Sequence, residues 1–141
     1  PSFDDETKFR GKKIYFLKRA QILAVDIFAA LGGWGDGHFV DLDYPTIFPD
    51  YKLPQILRHW GILGYADSLA KKVDKGKLIK AGSDEEIEIR SATIWASEFL
   101  KEILHKLGRK LYSFEIDWVL WNKSRKIEMN RPHHLTKTVF Y

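Results

Sequence analysis

A chain of 141 residues, 45% of them apolar, is long enough for one domain with its own core, and this composition excludes a disordered chain. The absence of cysteine excludes disulfides and thiolate-bound metals and is compatible with the cytosol. The net charge of +4 comes from scattered Lys and Arg, such as Lys71-Lys72 and Arg109-Lys110, without the dense basic patch of a duplex binder.

The longest apolar run is interrupted by Asp26, so no segment reads as a membrane span. The chain starts Pro1-Ser2-Phe3, with neither an initiator Met nor a signal-peptide pattern, so the expectation is a part of a longer protein. Residues 3–11 are polar and read as an irregular lead-in. Lys12 to Leu31 reads as a helix, with Ile14, Leu17, Ala20, Ala24, Phe28 and Leu31 at three- and four-residue steps. From Ala20 its other faces are apolar as well, which predicts a buried helix, ended by Gly32-Gly33. Lys18, Ile22 and Asp26 lie four apart on one face of it. A buried Asp26 would need a partner, either in a structural network or in a functional site.

Between Gly32 and Pro54 stand four glycines, the aspartates Asp36, Asp41, Asp43 and Asp50, and rings including Trp34, Phe39, Tyr44, Phe48 and Tyr51. Glycines permit sharp turns and close approach, and loops of this kind carry binding and catalytic groups. Pro54 then opens a short helix that Gly61 stops, and a second short helix runs from Asp67 to Val73 before Gly76. Ser83-Asp84-Glu85-Glu86 is a capping-box pattern that launches a long helix to about Leu107. Ala92, Trp95, Ala96, Phe99, Ile103 and Leu107 read as its core stripe. Ser113 caps a last helix to about Trp121, with Glu115 and Asp117 in a first turn that suits the helix dipole. The tail from Asn130 to Tyr141 favours an extended form that docks its final apolar residues. The expected fold class is all-α, with five or six helices over residues 1–141.

The chemistry narrows by exclusion. None of His38, His59, His105, His133 and His134 forms a His-x-x-x-His pair, so no metal site is expected. There is no Gly-x-Ser-x-Gly elbow and no phosphate loop, and Gly33-Trp34-Gly35-Asp36-Gly37 follows a helix where a dinucleotide fingerprint needs a strand. The carboxylates remain. A carboxylate beside aromatic walls suits cleavage of a glycosidic bond, because it stabilises an oxocarbenium-like sugar or activates water while rings hold the base. Asp36, between glycines, reads as a turn residue, and Asp41 is the choice for the chemical role.

Several motifs, in order and spacing, resemble one family. They are Gly11-Lys12-Lys13, Phe16-x-Lys18-Arg19-Ala20-Gln21-Ile22-Leu23, Gly35-Asp36-Gly37-x-Phe39-x-Asp41 and Phe48-x-Asp50-Tyr51-x-x-Pro54-Gln55. Glu88-Ile89-Arg90, Leu120-Trp121 and His133-His134-x-Thr136-Lys137-x-x-Phe140-Tyr141 complete the set. Together they resemble the queuosine salvage protein family, the queuosine 5′-phosphate N-glycosylases, over the C-terminal portion of that family. Pro49 departs from an expected Ala, and Lys52 and Lys137 stand where Arg is expected.

The resemblance implies a multi-helix fold related to helix-hairpin-helix DNA glycosylases. It also implies hydrolysis of queuosine 5′-monophosphate to release queuine for reuse in tRNA, without a cofactor and in the cytoplasm. The partner implied is the small-molecule nucleotide, with no membrane and no stable nucleic-acid partner. The family's catalytic aspartate falls at Asp41. Substrate-binding candidates are Phe39, Asp50, Tyr51, Lys18, Asp26, His38, Arg19, His133 and His134. Lys18, Arg19 or the His133-His134-Lys137 group would meet the 5′-phosphate, or else would form salt bridges that lock the tail and first helix to the body. Two other expectations stand beside this one: a helical nucleic-acid-binding module without catalysis, and a sound but inactive piece whose pocket needs the family's N-terminal part.

Overall fold

A computed structural model describes residues 1–141. The protein is mostly helical, with five α-helices, but it opens on a β-hairpin, so the all-α expectation is corrected. Strands β1 (Glu6–Phe9) and β2 (Lys12–Tyr15) pair antiparallel with Phe9 opposite Lys12. Arg10 and Gly11 form the two-residue connection, both at positive φ, the geometry that matches the twist of a tight hairpin. Strands this short, with Arg at the first turn position, leave no alternating pattern to read.

Helix α1 therefore begins later than the periodicity suggests and spans Lys18–Ala30. Leu17 precedes it in the left-handed region at φ 47°. Only Val25 is fully buried on α1, while Leu23, Leu31 and Asp26 are exposed. The helix is thus not buried all round. One face packs on the cluster of Val25, Phe48 and Phe114, and the opposite face meets solvent. Gly32 and Gly33, both at positive φ, end the helix, and a single 3-10 turn follows over Gly35–Gly37. Gly37 is buried against the end of α1, where an added Cβ would stand 2.7 Å from Leu31 Cβ and 3.2 Å from the Ile27 carbonyl oxygen.

Helices α2 (Lys52–His59) and α3 (Asp67–Asp74) follow, stopped at Gly61 and Gly76, which both take positive φ. Helix α2 contributes Leu53, Ile56 and Leu57 to the main core, with Ile47, Leu63, Ile116 and Leu120 around them. Helices α4 (Asp84–Lys106) and α5 (Ser113–Ser124) complete the body. The Ser83 hydroxyl accepts the Glu86 amide at 3.4 Å, as the capping pattern predicts, and the Glu86 side chain accepts the Gly82 amide at 3.1 Å. Ser113 begins α5 and also ties it to α4, donating to Glu98 at 2.6 Å and accepting from Lys101 at 2.8 Å.

The core stripe expected on α4 is corrected too. Trp95 is 64% exposed and Leu107 72% exposed, with Phe99 and Ile103 between them in solvent. The helix buries Glu86, Ile87, Ile89, Arg90, Thr93 and Ser97 instead, with Ala92, Ala96, Leu100 and Leu104 half-buried against α2 and α5. The tail from Asn130 is extended, as expected. It reaches the body through the Ile79 amide, which donates to the Leu135 carbonyl at 2.8 Å, and through Gln55, which donates to the Arg131 carbonyl at 2.7 Å.

Candidate functional site

Two adjoining cavities open along α1, and Lys18, Ile22 and Asp26 line both of them. The helical four-residue spacing of these residues is what puts them on one edge. The first cavity, about 390 Å³, adds Phe48, Asp50, Asp117, Trp118 and Trp121. The second, about 560 Å³, adds Phe3, Arg19, Leu23, Val139, Phe140 and Tyr141. One lobe is thus acidic and aromatic and the other basic and apolar, with Lys18 at the boundary.

Local structure fixes the two buried carboxylates. Asp50 Oδ1 accepts the amides of Lys52 at 2.7 Å and Leu53 at 3.0 Å, capping the start of α2. Asp117 Oδ2 accepts the Phe48 amide at 2.7 Å, joining α5 to the segment that carries Asp50. The second oxygen of each carboxylate has no protein donor, and Lys18 Nζ is in no direct ion pair. Asp117 lies one helical step from Phe114 and Trp121 on the same face of α5, so it belongs to the apolar face and lies beyond the first turn, whose one acid is Glu115. An acid at that position in the apolar stripe is the signal that reveals it. By sequence position alone the same acid reads as a helix-dipole residue.

Burial disfavours charge on all three groups. It pushes the Asp117 carboxyl up to about 7, with the nearby Asp50 charge adding to the rise and the Phe48 amide and Lys18 opposing it. It raises Asp50 as well, opposed by the Leu53 amide, Lys18, the Lys52 amide and the Lys52 charge. It lowers Lys18, where Asp50 and Asp117 favour the ammonium and Arg90 and Arg19 disfavour it. Asp117 is consequently a carboxyl that exchanges its proton near neutral pH, beside a partner acid that accepts two amides where Asp117 accepts one.

The remaining candidates distribute unevenly. Asp26 lies in the site but is exposed, so it needs no buried partner. Arg19 lines the basic lobe and donates from Nη1 to the Val139 carbonyl at 3.1 Å, holding the tail to α1. His133 packs against Tyr51 with ring centroids 4.8 Å apart and the rings tilted at 47°. Its pKa is lowered by burial and by Lys52, against the pull of Asp50, so this pair borders the acidic lobe. His134 is buried away from the cavities and sits 3.2 Å from the Tyr141 hydroxyl. His38 is exposed at the end of the 3-10 turn. Asp41 and Phe39 line a separate apolar cavity of about 280 Å³ with Leu17, Ala20, Gln21, Ala24, Val25, Leu42, Tyr44 and Pro45. Asp41 is exposed there. Lys18, Asp26 and Asp50 therefore come together and Asp41 does not join them. The residues that sequence reasoning left out of the site are Asp117, Trp118 and Trp121.

The model of the family described as queuosine salvage protein matches residues 1–141. Among curated relatives, a protein of Sphaerobacter thermophilus named queuosine 5′-phosphate N-glycosylase/hydrolase is 44% identical over 142 residues, covering 100% of this chain and 44% of its own length. Proteins of the same name from Mus musculus and Schizosaccharomyces pombe are 40% and 39% identical over 151 and 127 residues. They match 100% and 89% of this chain, and 45% and 36% of their own lengths. The chain thus spans less than half the length of the curated relatives it matches.

Proposed function

Because this chain belongs to the queuosine salvage protein family, we propose that it carries the glycosidic-bond site of an enzyme that hydrolyses queuosine 5′-monophosphate and releases queuine. The observation that carries this reading is the convergence of Lys18, Asp50 and Asp117 on one cavity walled by Phe48, Trp118 and Trp121. The aromatic side chains give flat faces for a heteroaromatic base. The Asp50 carboxylate supplies the negative field that an oxocarbenium-like ribose requires.

Queuine has a carbon at the position where a purine would accept a proton, so that protonation is unavailable to its leaving group. When the bond from C1′ breaks, its electron pair passes to the base nitrogen, and water supplies hydroxide to C1′. In this reading Asp50, with its ionised form supported by two amides and Lys18, faces the sugar cation and takes the proton from water. Asp117, which holds a proton up to about pH 7, gives one to the departing base. Lys18 and Arg19 lie toward the basic lobe, on the side that suits the 5′-phosphate. His133 and Tyr51 close the rim. The relation to helix-hairpin-helix glycosylases, the place of residues 1–141 as the C-terminal part of the glycosylase domain and a cytoplasmic location are parts of the same proposal. No helix is long and apolar enough to cross a membrane.

The test compares Asp41→Asn, Asp50→Asn and Asp117→Asn for queuine release from queuosine 5′-monophosphate. Asp50→Asn and Asp117→Asn are expected to lose about 100-fold or more in kcat, the scale of removing one electrostatic stabiliser, with Asp41→Asn near the parent. The reverse ranking returns the chemistry to Asp41. A parent protein that releases no queuine overturns the reading.

A further inference from the structure

One buried carboxylate outside the cavities holds the start of α1. Asp5 precedes β1 and is 1% exposed. Three consecutive amides donate to it. Phe16 and Leu17 donate to its carbonyl oxygen at 2.9 and 3.2 Å, and Lys18 donates to its Oδ2 at 3.3 Å. No side chain within α1 caps the helix, and the left-handed Leu17 makes the joint unfavourable for a non-glycine residue. Asp5 thus performs from a distant segment the work of an N-cap residue.

Arg90 fixes Asp5 in turn. Its guanidinium meets both carboxylate oxygens, Nη1 at 2.9 Å and Nη2 at 2.5 Å, and lies 3.8 Å from the Phe16 ring centroid and 5.2 Å from that of Tyr141. The fork-to-fork geometry defines orientation as well as charge. Glu86 stands 3.5 Å from the same guanidinium and accepts the Tyr141 hydroxyl at 2.9 Å. That hydroxyl has one proton, so His134 Nε2 must donate to Tyr141 Oη.

We propose that Asp5, held by Arg90, is a positioning residue for the Lys18 ammonium: it sets where α1 begins and therefore where that side chain enters the cleft. The inference rests on the reading of Lys18 as part of the substrate site. It assigns a role to the Arg90 of the Glu88-Ile89-Arg90 motif that the cavities themselves do not explain.

The test is a double-mutant cycle on the protein, measuring kcat and KM for queuosine 5′-monophosphate with Asp5→Ala in the parent and in a Lys18→Met background. Asp5→Ala is expected to lower kcat about 10-fold, the scale of a sub-ångström displacement, with KM changed less than about threefold. In the Lys18→Met background the same change is expected to alter kcat less than about twofold. Equal losses in both backgrounds overturn the proposal, because a merely structural residue acts whether or not Lys18 is present. Competitive acetylation read by mass spectrometry supplies an arm that needs no turnover. Lys18 labelling in Asp5→Ala is expected to rise at least about threefold against exposed Lys71, while labelling of Lys101, tied to Glu98 at 2.7 Å, stays constant. An unchanged Lys18 ratio, or a parallel rise at Lys101, overturns it. A parent without hydrolysis but with the selective Lys18 response removes the proposed substrate and leaves the positioning role standing.

Discussion

The Phe48 amide donates to Asp117 at 2.7 Å, a bond between residues 69 positions apart. It ties the segment before α2 to α5 and brings the two buried carboxylates of the cleft under one constraint. Moving the Phe48 segment away from α5 breaks a buried hydrogen bond, which costs about 1–3 kcal/mol when the acceptor is left unsatisfied.

A first prediction concerns the pH dependence of turnover. If Asp117 gives its proton to the departing base, kcat falls as pH rises through about 7, where burial places that carboxyl. Asp117→Asn keeps an oxygen for the Phe48 amide but has no titratable proton. Its residual rate is expected to be flat through that range. A pH profile of kcat measured from pH 5 to 9 on both proteins checks this, and an identical descending limb in Asp117→Asn assigns it to another group.

Folding stability should carry two opposed slopes in one pH window. Asp117 is raised to about 7 in the folded protein, from 3.8, so its contribution is present below the lower value and is lost as pH rises through the upper one. Asp50 is raised too and adds to that slope. His134 is lowered to about 4 from 6.5, first by burial and then by His133 and Arg90, so its contribution is present above pH 6.5 and is lost as pH falls through 4. Each contribution amounts to a few kcal/mol in order of magnitude, so the two oppose one another between pH 4 and 7. Urea unfolding between pH 4 and 7 should show stability rising with pH in Asp117→Asn and falling with pH in His134→Gln.

Gly37 is required by closeness, not by its φ. Gly37→Ala sets a Cβ 2.7 Å from Leu31 Cβ and 3.2 Å from the Ile27 carbonyl oxygen. The 3-10 turn or the end of α1 has to shift, at a cost of about 1–3 kcal/mol. Chemical denaturation reads this as a lowered midpoint with an unchanged slope. Gly35→Ala, where no atom lies within 4 Å but φ is 56°, separates backbone strain from crowding.

Trp95 and Phe99 stand in solvent on α4 with ring centroids 6.0 Å apart. Replacing both by Gln is expected to change stability by no more than about 0.5 kcal/mol per site, as for surface substitutions generally. It should also reduce self-association in sedimentation experiments, because large exposed apolar patches promote association. A loss like that of a core truncation contradicts the packing described for this helix.

How much of this was legible depends on which signals the chain uses. Helix limits follow local chemistry, so Gly61, Gly76 and Ser83 marked them well. The site edge on α1 was legible because Lys18, Ile22 and Asp26 must share a helix face. The hairpin was hidden because four-residue strands carry too little periodicity and Arg10 does not advertise positive φ. The α4 stripe misled because an i, i+4 row of apolar residues is the same whether the chain's own core covers it or not. The smaller row of Ile89, Thr93 and Ser97 won the interior. Asp117 was hidden because an acid near a helix start has a sufficient local explanation. Its place in the apolar stripe between Phe114 and Trp121 is the signal that sets it apart, and its pairing with Phe48 is what gives that signal its meaning. The choice of Asp41 rested on the motif and its neighbours, while the grouping with Lys18 is a tertiary fact that favours Asp50 and Asp117.

The bonds that shape the cleft also bear on the order of folding. Arg90 and Asp5 are 85 positions apart, Gln55 and Arg131 are 76 apart, and Phe48 and Asp117 are 69 apart. Each closes a long loop before it returns any stabilisation, whereas α4 and α5 can meet through the short connection between them. Loop length alone therefore predicts that the α4–α5 pair forms first and the cleft late. Substitutions at Asp5 or Asp117 should accordingly speed unfolding and leave the refolding rate almost unchanged.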